Sequence, residues 1–316
     1  MTSVPRFSAI VVSFQVRELL RRCLESLRAQ SGVELEIWVV DNVSSDGSAQ
    51  MVAADFPDAR LIRNEANVGF ARANNLALAR ATGDYLALIN PDTELPPDAL
   101  LQVARVFERH PRAGVVGLKL VNPDGSPQPA CHRFPGVLNQ AVECLALQRV
   151  ACDLGYGTPS MAPAPRGGEG VVDWVAGACM VLSRAAYHKV GGLDESRFLY
   201  GEEMDWSWRA RVGGFETVTS NAATVVHHGG ASGGARGELH LKVLEARLVF
   251  LARNRGRWRA LLSREIFTIG AILRLPFWAL RAALARLHVV AEGRTAVQLE
   301  RQWAVVGWRL RGAAWQ

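Results

Sequence analysis

Three carboxylates fall close together in GEEMDWSWRAR (201–211): Glu202, Glu203 and Asp205. At the start of a helix they meet a dipole that favours anions. Their mutual repulsion raises one carboxyl toward the range of a usable general base. The bland alternative is an ordinary acidic first turn. Asp205 and Arg209, four apart, are spaced to pair along the helix. Asp92 ends Ile89-Asn90-Pro91-Asp92, after a run of buried-strand type. A carboxylate so placed can hold Mg²⁺ or Mn²⁺ against a diphosphate, because these hard ions want oxygen ligands. The same tripeptide is also a common turn. In VVHHGGAS (225–232) a His at a strand end could ligate a metal through a ring nitrogen, although a lone His is more often structural. In DNVSSDGS (41–48) Asp41 can accept the imide N–H of a uracil or thymine base. Those residue types equally favour loops and helix caps. In NEANVGFARANN (64–75) Gly69 opens a helix whose free N–H groups could face a diphosphate. Asn67 and Asn75 flank that helix start, and a turn capped by asparagines is the competing reading.

The elements that must position these residues alternate. Residues 8–14 (SAIVVSF), 36–40, 59–63, 85–89 and 113–120 read as strands. Residues 17–29, 48–56, 69–81 and 100–109 read as helices between them, the first with Leu19, Leu20, Cys23, Leu24 and Leu27 on one face. This β-α alternation predicts an α/β fold with a doubly wound, mostly parallel sheet. Ligands in such sheets sit at the carboxyl ends of strands, where Asp41 and Asp92 both fall. After a Gly/Pro loop at 155–170 come a strand-helix unit (172–195), the helix of the acidic cluster and a last strand ending at VVHH.

The chain has 316 residues, with 49% apolar and 21% charged, so a sizeable core is expected and disorder is not. Mean hydropathy is +0.06. The net charge of +6 is uneven: residues 235–316 hold 15 Lys+Arg against 5 Asp+Glu, leaving residues 1–234 at −4. That distribution argues against nucleic acid as a partner and for an acidic catalytic body with a basic tail. Five Cys without a C-x-x-C pair fit a reducing compartment. The N-terminus reads as a strand, not a signal peptide. No 18-residue apolar run lacks a charge, so no spanning helix is expected. From about residue 239 the texture becomes rich in Leu, Ala, Arg and Trp, with five of the nine Trp. Arg274, Arg281 and His288 recur every seven residues among Ile, Leu and Phe, an amphipathic pattern interrupted by Pro276. The division expected is a catalytic domain at 1–238 and a membrane-associating helical region at 239–316. The membrane reading competes with a helical subdomain that is simply packed.

Taken together and in order, strand-DNxSxDGS, NxGFAxANN, NPDT, GExMDWxWRA and HxGGAS resemble the family 2 glycosyltransferases with a GT-A fold, in particular their bacterial rhamnosyltransferase-like branch. The resemblance covers residues 7–235 by motif and 236–316 in texture only. It implies inverting sugar transfer from a nucleotide diphosphate sugar, with dTDP-rhamnose favoured by the branch, to a glycan or polyprenyl-linked acceptor. By that likeness Asp41 contacts the base, and Ser13, Asn67, Gly69, Asn75, Asn90 and Asp92 complete the donor site. Asp92 and His227 hold Mg²⁺ or Mn²⁺. Trp174, Gly177, Ala178 and Arg209 lie toward the acceptor or sugar. Glu203 stands where the family commonly places its catalytic Asp, with Glu202 and Asp205 beside it. Two departures stand out: the family's D-x-D is Asn90-Pro91-Asp92, and its Glu-Asp pair is Glu202-Glu203. The resemblance implies an enzyme peripheral on the cytoplasmic face of the cell membrane, on an anionic surface, and leaves room for a homo-oligomer. A sugar-nucleotide pyrophosphorylase would need a Gly-rich basic loop after the first strand, where this chain has SFQVRELLRR. An inactive membrane adaptor would have lost the acidic cluster or Asp92, and both are present.

Overall fold

The first strand is apolar on both faces. Phe7, Ala9 and Val11 point into one core layer and Ile10 and Val12 into another, which demands cover on each side of a sheet. The computed structural model supplies that cover. It describes residues 4–144, 165, 167–196, 198–229, 236–286 and 292–310. The chain forms two compact units, residues 1–133 with 162–232, and residues 134–161 with 233–316.

In chain order the elements of the first unit begin with β1 (Arg6–Ser13), α1 (Arg17–Arg28), β2 (Glu34–Asp41), α2 (Ser48–Asp55), β3 (Arg60–Arg63), α3 (Phe70–Leu78) and β4 (Tyr85–Ile89). They continue through β5 (Thr93–Glu94), α4 (Ala99–Arg109), β6 (Ala113–Val121), β7 (Pro127–Gln128) and β8 (Cys131–His132). After α5 (Val137–Cys144), which belongs to the second unit, come β9 (Glu169–Val172), β10 (Trp174–Val175) and β11 (Cys179–Ser183). Then follow α6 (Arg184–Val190), α7 (Glu202–Val212) and β12 (Glu216–His227).

Helix α1 buries Leu20, Cys23, Leu24 and Leu27, the i, i+3, i+4, i+7 face expected from sequence. Its first turn is capped from another element: Asp46 Oδ2 accepts the Arg17 N–H at 2.9 Å. Side chains of α1, α2 and α4 close one face of the sheet, and those of α3, α6 and α7 the other.

The main sheet runs β3-β2-β1-β4-β11-β6-β12-β5. β1, β2, β3 and β4 are mutually parallel, and β12 is parallel to β6. The mostly parallel, doubly wound expectation therefore holds, with one addition. β11 inserts antiparallel between β4 and β6. Read in order, the run at 113–120 looks like the next neighbour of β4. Strand adjacency is a long-range choice, however, and β11 fills the slot with Met180, Val181 and Leu182, all buried.

That insertion decides where the site lies. β1, β2 and β4 present their carboxyl ends at one edge. β11, running the other way, starts there, with Cys179 opposite Ile89. β12 ends there, with His227 opposite Thr93. At the tail of the Gly/Pro stretch, most of which lies outside the described residues, Glu169 ties β9 down. Arg109 donates to it at 2.9 and 2.7 Å and Ser220 at 2.6 Å, and His110 lies 3.1 Å away. Chiefly through Arg109, its carboxyl is pulled down to about 2.

The second unit is helical: α5, α8 (Arg236–Asn254), α9 (Arg257–Arg286) and α10 (Glu292–Leu310). Cys144, Leu244, Leu248, Phe267, Ala271, Val305 and Trp308 form its core. The sequence places the domain break at 238/239. The structure starts this unit near 233 and adds 134–161, because α5 packs on α9, where a methyl on Gly270 would lie 2.9 Å from Cys144 Cβ. α9 is a single helix through Pro276, and by length and composition it is long and apolar enough to cross a membrane, which the charge pattern did not lead us to expect. His288 lies outside the described residues.

Candidate active site

The ends of β1, β2, β4 and β12, the start of β11 and the neighbouring loops enclose a cleft of ≈ 310 Å³ at the edge described above. From the sequence candidates it gathers Asn67, Gly69, Asn90, Asp92, Gly177, Ala178, Glu202, Glu203 and His227. Residues 120 or more positions apart in the chain thus line one wall.

Asp92 is buried, and its Oδ1 lies 3.3 Å from His227 Nε2. The amide Nδ2 of Asn90 faces the same ring nitrogen at 3.5 Å. The backbone beneath is fixed: Asn90 N–H and Thr93 Oγ1 both donate to the Ala178 carbonyl, at 3.0 and 3.2 Å. Among the described residues no three His, Cys, Asp or Glu side chains converge as a closed cage. A carboxylate and an imidazole side by side still fit a hard divalent ion whose other ligands are oxygens of a bound diphosphate and water.

At the ends of β1 and β2, Ser13 and Asp41 are register partners. Asp41 Oδ2 accepts the Ser44 N–H at 3.0 Å, while its buried Oδ1 and the Ser13 hydroxyl have no partner among the described residues. An orphaned buried acceptor at this edge suits a base N–H. Neither residue lines the cleft itself; their neighbours Val12, Phe14 and Asn42 do. Gln15 and Val43, just past these strands, hold φ of 57° and 66°, strained values for side-chain-bearing residues.

The start of α3 differs from the sequence expectation. Its first N–H, from Phe70, donates to the Phe198 carbonyl at 3.0 Å, and Gly69 N–H donates to Asn67 Oδ1 at 3.1 Å. These two donors are taken by the protein. Gly69 is needed because its φ is +83° and a Cβ there would sit 2.6 Å from that same carbonyl. Asn75 does not line the cleft. Its amide clamps Leu193, accepting from N at 2.9 Å and donating to O at 2.9 Å.

The acidic motif splits by role. Glu202 and Glu203 line the cleft, whereas Asp205 and Arg209 do not. Arg209 donates to Asp205 at 2.7 Å and to the Val190 and Gly192 carbonyls at 2.8 Å. Buried Trp206 donates to Gly191 O at 2.8 Å. Half the motif therefore fastens α7 to the 190–192 turn and leaves the first turn to face the cleft. Burial pushes the Glu203 carboxyl above its ordinary value, against backbone N–H groups of Glu203 and Gly201 that favour the charged form. Burial, and then Glu202 and Glu203, push the phenol of Tyr200 up as well. Opposite, Gly177 leaves room: a Cβ would come within 4.0 Å of the Glu203 carboxyl carbon. Trp174 does not line the cleft; it stacks on His132 at 4.1 Å and donates to Arg133 O at 3.0 Å.

The family model for Glycosyl transferase family 2 matches residues 8–147. The N-acetylglucosaminyl-diphospho-decaprenol L-rhamnosyltransferase of Mycobacterium tuberculosis is 30% identical over 301 residues, covering 89% of this chain and 91% of that protein. The chain belongs to glycosyl transferase family 2. This family 2 glycosyltransferase also resembles solved structures in fold. A mannosyltransferase from Pyrobaculum calidifontis in complex with GDP-Man and Mn²⁺ matches 99% of this chain and 89% of its own, with a TM-score of 0.58 at 18% identity. TarS of S. aureus in complex with UDP-GlcNAc matches 98% and 93%, with a TM-score of 0.51 at 15% identity.

Among the cleft residues that the sequence reading of the glycosyltransferase missed are Gln128, Phe198 and Tyr200. Tyr200 has φ +74° beside Gly201 at +97°, so the loop bends sharply into α7. Nothing in their residue types announces a site; only their placement does.

Proposed function

We propose that the enzyme is an inverting transferase that moves a 6-deoxyhexose, rhamnose by likeness to the mycobacterial relative, from a nucleoside diphosphate sugar to a hydroxyl of a polyprenyl-diphosphate-linked N-acetylhexosamine. The observation that carries this reading is the joint presence in one cleft of Glu203, with its raised carboxyl, and the Asp92–His227 pair. Glu203 takes the acceptor hydroxyl proton. The hydroxyl oxygen then bonds to the anomeric carbon from the face opposite the nucleotide, and the C–O bond to the diphosphate breaks with its electron pair. A bound Mg²⁺ or Mn²⁺ supplies charge neutralisation for the departing diphosphate. Asp92 and His227 hold the donor side, Gly177 and Ala178 border the acceptor side, and Asp41 takes the base N–H.

The test is transfer from dTDP-rhamnose, against UDP- and GDP-sugars, to a short polyprenyl-diphosphate GlcNAc, with the product anomer read by NMR. One donor is expected to yield product of the opposite anomeric configuration. Retained configuration, or no transfer from any of these donors, would overturn the reading.

Membrane association belongs to the second unit in this reading. α9 buries Ala260, Phe267, Gly270 and Ala271 within that unit while Trp258, Leu262, Ile269, Leu273 and Leu280 form an exposed stripe at helical spacing. One-sided burial with Arg264, Arg274 and Arg281 along the helix suits an in-plane position at the cytoplasmic face of an anionic membrane. A span would set Arg274 inside the hydrocarbon. Each Arg near such a surface contributes about 1 kcal/mol. The full chain is expected to sediment with phosphatidylglycerol vesicles, to be only partly released by high salt, and to stay in solution when Leu273 and Leu280 are both changed to Glu. Equal sedimentation of the two proteins would remove this face from the reading.

A further inference from the structure

Gln128 stands on β7 between a tight turn and His227. The turn is self-held: Asn122 N–H donates to Ser126 O at 2.8 Å, and Ser126 N–H to Asp124 Oδ1 at 2.9 Å. Asn122 Nδ2 is spent on Ser126 Oγ at 2.8 Å, which aims Oδ1 at Gln128. Gln128 Nε2 donates to that Oδ1 and to the His227 carbonyl, both at 2.6 Å. With both amide hydrogens engaged, Gln128 turns its Oε1 to His227 Nδ1 at 2.8 Å. An amide oxygen only accepts, so Nδ1 carries the hydrogen, and in a neutral ring Nε2 then presents a lone pair. That lone pair is the one beside Asp92.

We propose that Gln128, oriented by Asn122, is a positioning residue that fixes the Nδ1–H tautomer of His227 and so aims its Nε2 lone pair at the cation position next to Asp92. The alternative tautomer would place a hydrogen on Nε2, which would donate to the Asp92 carboxylate, and each ligand would then satisfy the other. Gln128 excludes that closed arrangement, and the Asn90 amide nitrogen 3.5 Å from Nε2, a donor only, disfavours it as well. Outer partners that hold a ligand ring commonly matter about 10–100-fold in metal affinity. The inference rests on the reading of Asp92 and His227 as metal ligands and adds the group that prepares one of them.

Long-range ¹⁵N–¹H NMR of the metal-free full chain, in alkaline buffer where imidazole is neutral, reads the tautomer directly, with His227 assigned by its loss in His227→Asn. Wild type is expected as Nδ1–H and Gln128→Leu as Nε2–H. Mn²⁺ binding, followed by EPR with a nucleoside diphosphate present, is expected to weaken about 10–100-fold in Gln128→Leu. Gln128→Glu loses both N–H donors but retains an acceptor for Nδ1–H, and is expected to keep the Nδ1–H tautomer, which a merely structural role would not predict. An Nε2–H ring in wild type, an unchanged ring in Gln128→Leu, or an Nε2–H ring in Gln128→Glu overturns the proposal. If Gln128→Leu fails to fold, the wild-type and Gln128→Glu tautomers decide it. Failure of wild type to bind Mn²⁺ overturns the metal reading instead, since the tautomer is measured without metal.

Discussion

Glu203→Gln is expected to lower kcat roughly 10²–10⁴-fold, the usual worth of a positioned general base, with donor affinity nearly unchanged. The amide keeps the size of the carboxyl and removes only its ability to take a proton. Glu202→Gln serves as the comparison, because both glutamates line the cleft. The assignment moves by one residue if Glu203→Gln retains wild-type turnover while Glu202→Gln is dead. A pH signature accompanies the mutation. A base works only when deprotonated, and burial raises the pKa of Glu203. The acid limb of the wild-type rate should therefore fall at a pH above the ordinary carboxylate range, with activity lost as pH drops through that limb. A profile flat down to pH 4 would argue that another group accepts the proton.

Removal of divalent metal is expected to abolish transfer, with recovery on adding Mg²⁺ or Mn²⁺. Asp92→Ala should reproduce the loss without recovery at ordinary metal concentrations. In the proposed site Asp92 is the carboxylate of Asn90-Pro91-Asp92, and His227 brings an imidazole nitrogen 3.3 Å away. With so few protein ligands, the diphosphate must supply much of the coordination. Metal affinity is therefore expected to be weak in the free enzyme and to tighten when donor is present. Undiminished turnover in excess chelator, for wild type and Asp92→Ala alike, would refute metal dependence.

The sequence alone determined the elements whose patterns are local. Alternation of β-branched strands with amphipathic helices predicts the parallel half of the sheet, because periodicity and capping are set by residues a few positions apart. It also marked the strand-end acids, Asp41 and Asp92, since a parallel strand's carboxyl end is where ligands bind whatever the neighbours are. The tertiary structure alone decided the partners. Only pairing across the sheet brings β11 between β4 and β6, and with it Gly177 and Ala178 opposite Glu203. Only packing separates the acidic motif into two cleft carboxylates and an Asp205–Arg209 clamp, since both halves sit at the same helical spacing in sequence. Asn75 and the start of α3 carry the same lesson. Their polar groups could serve a ligand or the protein, and the approach of Leu193 and Phe198, more than 110 positions away, commits them to the protein. Gln128 had no chemical signal at all. An amide acquires a role only through the atoms that take its two hydrogens and its oxygen, and those come from a turn and a strand that meet only when the chain is folded.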